Sequence, residues 1–198
     1  MENSAVISFV LAATALLGSP GPGIISLVAI TRAEGSRQGL RFYLGLQVGL
    51  ATAAAASAVG LMTMLAAFPS VLKTLNVIAT MYLLYLAVRI ATAPTGTRFD
   101  ERRTRAPVAS GLLLGITNPK AYLAFVSLLA SRSLSANNPS HDALLKLALL
   151  VAVIMIVDII WLMIGAALSQ ARLNRAMELM MNVGFALMIV ATAIVGWL

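Results

Sequence analysis

Two ionisable residues stand inside apolar runs, Asp158 in Leu144–Leu168 and Lys120 in Ala109–Ala130. An ionisable group at membrane depth is costly and by default points to function. For Asp158 the chemistry would be proton exchange: burial disfavours the charged carboxylate, so the group could hold a proton and release it when its surroundings open. A structural anchor, bonded to a neighbouring helix or paired with Lys120, accounts for the same residue equally well. Lys120 could attract the carboxylate of a small substrate or extend to the membrane interface. Gln47 and Asn118 could line a cavity, or else bond a backbone carbonyl. Trp161, one turn beyond Asp158 on the same face, could meet an ammonium group through its ring, or simply pack. The chain has no cysteine and a single histidine, His141, in a polar stretch to which no role is assigned. Neither a nucleophile with its base nor a metal cluster can be assembled from this set, so neither an enzyme nor a bound cofactor is indicated. No GxxxxGK[ST] phosphate loop is present, which argues against ATP-driven transport by this chain alone.

These groups must be positioned by helices that cross a bilayer. Of 198 residues 60% are hydrophobic and 11% charged, against about 45–50% and about 25% in ordinary soluble domains. No charge occurs between Glu2 and Arg32 or between Arg41 and Lys73, and about 20 apolar residues suffice to span. Leu72–Ala91, Ala109–Ala130, Leu144–Leu168 and Leu179–Leu198 add four candidates, six in all. The third is the weakest, because Lys73 and Arg89 must extend toward the headgroups at its ends; a five-span chain is the alternative. "MENS" lacks the basic start of a cleaved signal peptide, so the first segment is read as a span.

The charge pattern orients the chain. Ten of the fourteen Lys and Arg residues fall in the stretches after spans one, three and five, and three (Lys73, Arg132, Lys146) in the opposite set. The positive-inside rule then places residues 32–41, 93–107 and 169–178 in the cytoplasm and both termini outside. Topology accounts for the net charge of +7 without a nucleic-acid partner. The basic stretch 93–107 divides the chain into two three-span units, 1–92 and 108–198. Because three is odd, two copies of one unit would lie in opposite orientation.

Internal similarity supports that division. Leu16-Leu17-Gly18 with Pro22 reads LLGxxxP, and Leu113-Leu114-Gly115 with Pro119 repeats it 97 residues later. Pro20, Pro22 and Pro119 remove N–H donors and break the first helix of each unit, freeing the carbonyls of Leu16, Gly18 and Gly115. Breaks in corresponding spans of inverted halves are the best sequence pointer to a transporter's substrate site, although kinks repaired by neighbouring helices are the plainer reading of any one of them. Gly21, Pro22 and Gly23 at the first break and Asn118, Pro119 and Lys120 at the second are therefore the candidate binding residues, with Gln47 and Asp158. If a helix restarts after Pro22, the N–H groups of Gly23, Ile24 and Ile25 favour an anion such as an amino acid's carboxylate. Its ammonium would then find the carbonyls of Leu16 and Gly18, or Asp158. Gly45, Gly49, Ala53 and Ser57 form a smooth strip on span two and Gly111 and Gly115 a shorter one on span four, suited to close helix packing either within one chain or in a homodimer.

"SPGPGIISLVAITRAEGSRQGLRFYLGLQVGL", residues 19–50, and "GLLLGITNPKAYLAFVSLL", residues 111–129, resemble the two signatures of the lysine exporter (LysE/RhtB) family. Many members carry Asn after the PGP, where this chain has Gly23, so any contact of that side chain is lost or passes to backbone. The resemblance implies an all-α inner-membrane protein whose six helices form two inverted three-helix repeats with broken first helices. It also implies export of amino acids or close derivatives, with the bilayer, a small zwitterion and, for coupling, protons as partners. A non-catalytic structural or regulatory membrane subunit is the alternative.

Overall fold

In a computed structural model the described residues, 3–60, 69–92, 107–135, 138–171 and 174–195, form eight α-helices. They are α1 (Asn3–Gly18), α2 (Pro22–Glu34), α3 (Ser36–Ala58), α4 (Pro69–Ala91), α5 (Pro107–Thr117), α6 (Pro119–Leu129), α7 (Pro139–Gln170) and α8 (Arg175–Val195). The basic stretch expected at 93–107 lies, apart from Pro107, outside the described residues, as do 172–173 of the stretch 169–178. Proline sets several helix starts because the first turn needs no N–H there and its φ is already helical. Pro22, Pro119 and Pro139 all open helices in this way, the last two behind Asn118 and Asn138, whose side chains accept from Ala121 N (3.4 Å) and His141 N (3.1 Å).

Both expected breaks are present. α1 and α2 meet at 59° across residues 19–21, and α5 and α6 at 53° across Asn118. Among the described helices α7 is long and apolar enough to cross a bilayer unaided, and each bent pair, taken as one span, would be so too. Among the described helices each broken pair is followed by a longer helix and then a further one.

α3 and α5 approach closely where the glycines of the two small-residue strips meet. A Cβ on Gly49 would lie 2.5 Å from Leu112 O and 2.9 Å from the Cα of Gly115, and one on Gly115 would lie 2.7 Å from Leu46 O. Gly45 faces Val108 O and Gly111 faces Phe42 O too closely for any side chain. The glycines of the two strips thus meet one another within one chain.

α2 is central. Every residue from Pro22 to Arg32 is buried, with α3, α4, α7 and α8 packed around the helix. Gly35, at φ 88°, turns the chain from α2 into α3, its N–H returning to Thr31 O. At this end of α2, Arg32 donates to Asn182 Oδ1 of α8 (2.5 Å), and Glu34 pairs with Arg89 of α4 (2.6 Å). Arg89, at the end of α4, thus pairs with a neighbouring helix. At the start of α7, Asp142 accepts from the backbone N–H groups of Leu134 and Ser135 and pairs with Lys146 (3.0 Å). Lys146 in turn caps the end of α6 through Leu129 O and Ser131 O.

Candidate substrate site

The two breaks face each other. α2 starts at Pro22 after an extended Gly21, and α6 starts at Pro119, so the first turns of two helices converge with α3 and α7 on a cavity of about 40 Å³. Its polar lining comes from Ser19, Asn118, Lys120 and Asp158. The space admits about three or four waters at about 10–15 Å³ each, so a substrate must fit tightly or widen it.

Lys120 ties the breaks together: its ammonium donates to the carbonyl of Ser19 and to Ser19 Oγ (2.8 Å). A lysine ammonium has three donors, so one remains. The same hydroxyl donates to Leu16 O (2.9 Å), the carbonyl that Pro20 frees. The carbonyl freed by Pro22, Gly18 O, accepts from Trp161 Nε1 (3.2 Å). Both carbonyls expected to receive a substrate ammonium thus already accept a hydrogen bond from the protein. Trp161 acts here through its N–H, not its ring face. Ile25 N–H is likewise taken, by Gly21 O at 2.9 Å. Gly23 and Ile24 remain at the cavity wall as first-turn residues whose N–H groups have no acceptor within the helix.

Asp158, 4% exposed, lines the cavity from α7, and its Oδ2 accepts from Gln47 Nε2 of α3 at 2.8 Å. Tyr43, one turn before Gln47, donates to Met155 O (3.3 Å) on the same helix as Asp158. Asp158 and Lys120 share the cavity, yet no ion pair joins them among the described residues. The pairing considered from sequence is replaced by the Gln47 bond.

All eight sequence-derived candidates therefore meet around one space. Gly21, Gly23, Asn118, Lys120 and Asp158 line it; Pro22 and Pro119 start its two helices; Gln47 holds its carboxylate. A Cβ at Gly21 would lie 2.7 Å from Lys120 Cδ, so a larger residue there would push the lysine side chain from its place between the breaks. At Gly23 a Cβ would point to Asn118 Nδ2 (3.4 Å) and Leu46 Cδ1 (3.6 Å), so a larger residue would enter the space that Gly23 leaves open. Sequence reasoning overlooked Ser19, whose place between a freed carbonyl and the second break could have been inferred from its position before Pro20. It also overlooked the apolar wall of Ile24, Leu46, Leu50 and Ile154, which in a chain this hydrophobic carries no distinguishing signal.

The sequence model of the LysE type translocator family matches residues 14–196. The chain belongs to that family. The match takes in both breaks, Gln47 and Asp158, so the whole cavity lies within the LysE-type region. Over 129 residues, 61% of this chain and 60% of the relative, it is 28% identical to an uncharacterized membrane protein of Pseudomonas aeruginosa. The chain thus spans somewhat less than two thirds of that relative's length. No solved structure matches it. A LysE-type chain is a multi-pass membrane protein of a translocator family, which agrees with its apolar helices and bent pairs.

Proposed function

We propose that the chain is a secondary carrier that exports small amino acids across the inner membrane in exchange for protons. In this reading the chain has six spans in two inverted halves, 1–92 and 108–198, with residues 93–107 cytoplasmic and both termini outside. The convergence of both helix breaks on one cavity that holds a carboxylate and an ammonium carries it. A substrate carboxylate would take the remaining donor of Lys120 and the N–H groups of Gly23 and Ile24, where the helix dipole adds its field. The substrate ammonium would bind Asp158. One carboxylate cannot hold an ammonium and a proton together, so loading from one side and protonation from the other exclude each other, and that exclusion is the coupling. The groups that surround Asp158 and set this competition are Gln47 and Tyr43 on α3 and Lys120 on α6.

Proteoliposomes containing the purified chain test the proposal. A proton gradient should drive accumulation of labelled amino acids, and Asp158→Asn, which keeps the bond to Gln47 but cannot titrate, should abolish accumulation against a gradient. Full accumulation by Asp158→Asn would make Asp158 structural and refute the coupling. Absence of any amino-acid flux in the unmodified chain would favour a structural or regulatory subunit.

A further inference from the structure

We infer that the substrate is an amino acid with a short, uncharged side chain, and that charged side chains are excluded. The inference rests on the carrier reading and deepens it by counting charges. The cavity lining holds one carboxylate, Asp158, and one ammonium, Lys120. An α-amino acid brings one ammonium and one carboxylate, so its backbone uses both. Nothing charged in that lining is left for a side chain.

What a side chain would meet is apolar: Leu46 and Leu50, one turn apart on α3, Ile24 on α2 and Ile154 on α7, one turn before Asp158. Leu50 is 7% and Leu46 0% exposed, so this wall is packed and dry. A lysine or glutamate side chain would place an unpaired charge against it, and an unpaired buried charge is among the most costly groups in a protein. Of the polar groups near the wall, Trp161 Nε1 is committed to Gly18 O, Tyr43 to Met155 O and Gln47 to Asp158, and Asn118, whose Oδ1 accepts from Ala121 N, is uncharged. Size acts in the same direction, because a cavity of about 40 Å³ leaves little beyond the zwitterion itself. The two effects differ in strength. One methylene changes affinity by about ten- to two-hundredfold in an apolar pocket, and it can be accommodated by repacking, whereas a charge cannot.

Equilibrium binding of tritiated L-alanine to the full-length detergent-solubilised chain, with unlabelled competitors, tests this. Serine, close to alanine in size and uncharged, should displace alanine at comparable concentration, and lysine, arginine and glutamate should be weaker by well over about a hundredfold. Propylamine and propionate, each lacking one half of the zwitterion, should compete poorly. Lysine or glutamate within about tenfold of alanine would overturn the inference while leaving the carrier reading intact. No saturable binding of alanine, lysine or glutamate would remove the carrier reading, and this inference with it. Leu50→Ala supplies an independent check: it should raise the affinity for leucine relative to alanine, and an unchanged ratio would show that this wall does not receive the side chain.

Discussion

Substitution of alanine at the α3–α5 seam has a cost that can be worked from the geometry. A Cβ on Gly115 would lie 2.7 Å from Leu46 O and one on Gly49 2.5 Å from Leu112 O, where 3.4 Å is ordinary contact. Backbone atoms cannot swing aside as a side chain can, so the helices must part by about 0.7 and about 0.9 Å respectively. Overpacking of this kind costs about 1–3 kcal/mol, a factor of about 5 to 150 in the folded population. Close approach is also what gives membrane helices their affinity, so the flanking contacts along the seam weaken together. The two substitutions relieve the same clearance: once Gly49→Ala has parted the helices, Gly115→Ala adds little. The double variant should therefore be destabilised by clearly less than the sum, a coupling of about 0.5 kcal/mol or more. Thermal unfolding in one detergent, followed by loss of monodisperse protein, gives all three values. Neutral single variants would show that the helices do not meet at these glycines, and strict additivity would refute the shared clearance.

The remaining predictions concern the two ends of the chemistry. Asp142→Ala leaves Lys146, whose side chain is 4% exposed, without its carboxylate, and should cost about 3 kcal/mol, read as a lowered melting temperature. Substrate affinity should be unchanged, because Asp142 lies about 24 Å along α7 from Asp158; an affinity loss with normal stability would contradict that separation. Replacing Pro20 and Pro22 together by alanine restores donors for Leu16 O and Gly18 O, releasing Ser19 and Trp161, and lets Ser19 O accept from Gly23 instead of Lys120. With two charge-assisted bonds to the substrate lost at about 1.5–3 kcal/mol each, affinity should fall by at least about a hundredfold in protein that still inserts. Unchanged affinity would reduce the breaks to kinks.

The breaks were legible in the sequence because proline acts locally: a missing N–H frees a carbonyl four residues back whatever the surroundings. Asp158 was legible because a carboxylate in a long apolar run is conspicuous, and the glycine strips because their four-residue spacing defines a helix face. What those groups bond to was not legible. Trp161 reaches Gly18 across 143 residues and Gln47 reaches Asp158 across 111, and no local pattern encodes such pairings. The partner of each glycine strip was open for the same reason. The all-round burial of α2 was hidden too, because "PGIISLVAIT" reads alike whether lipid or protein surrounds it: both are apolar. The partner of Arg89 was hidden in the same way, since Glu34 lies on another helix, well before it in the chain.

The central position of α2 also bears on the order in which the protein is made. Thirteen residues extend about 20 Å, less than the roughly 30 Å of hydrocarbon, and they carry Ser26, Thr31 and Arg32, all buried. Arg32 obtains Asn182 only after a further 150 residues have been synthesised, and the walls formed by α7 and α8 come equally late. While the first half leaves the insertion machinery, α2 still lacks α7 and α8, and its arginine lacks the partner it will bond. An element made early, α2, is therefore among the last to reach its final environment. Until the C-terminal helix arrives, α2 is held in place only provisionally, and a chain truncated before α8 carries an unfinished centre, not merely a missing edge.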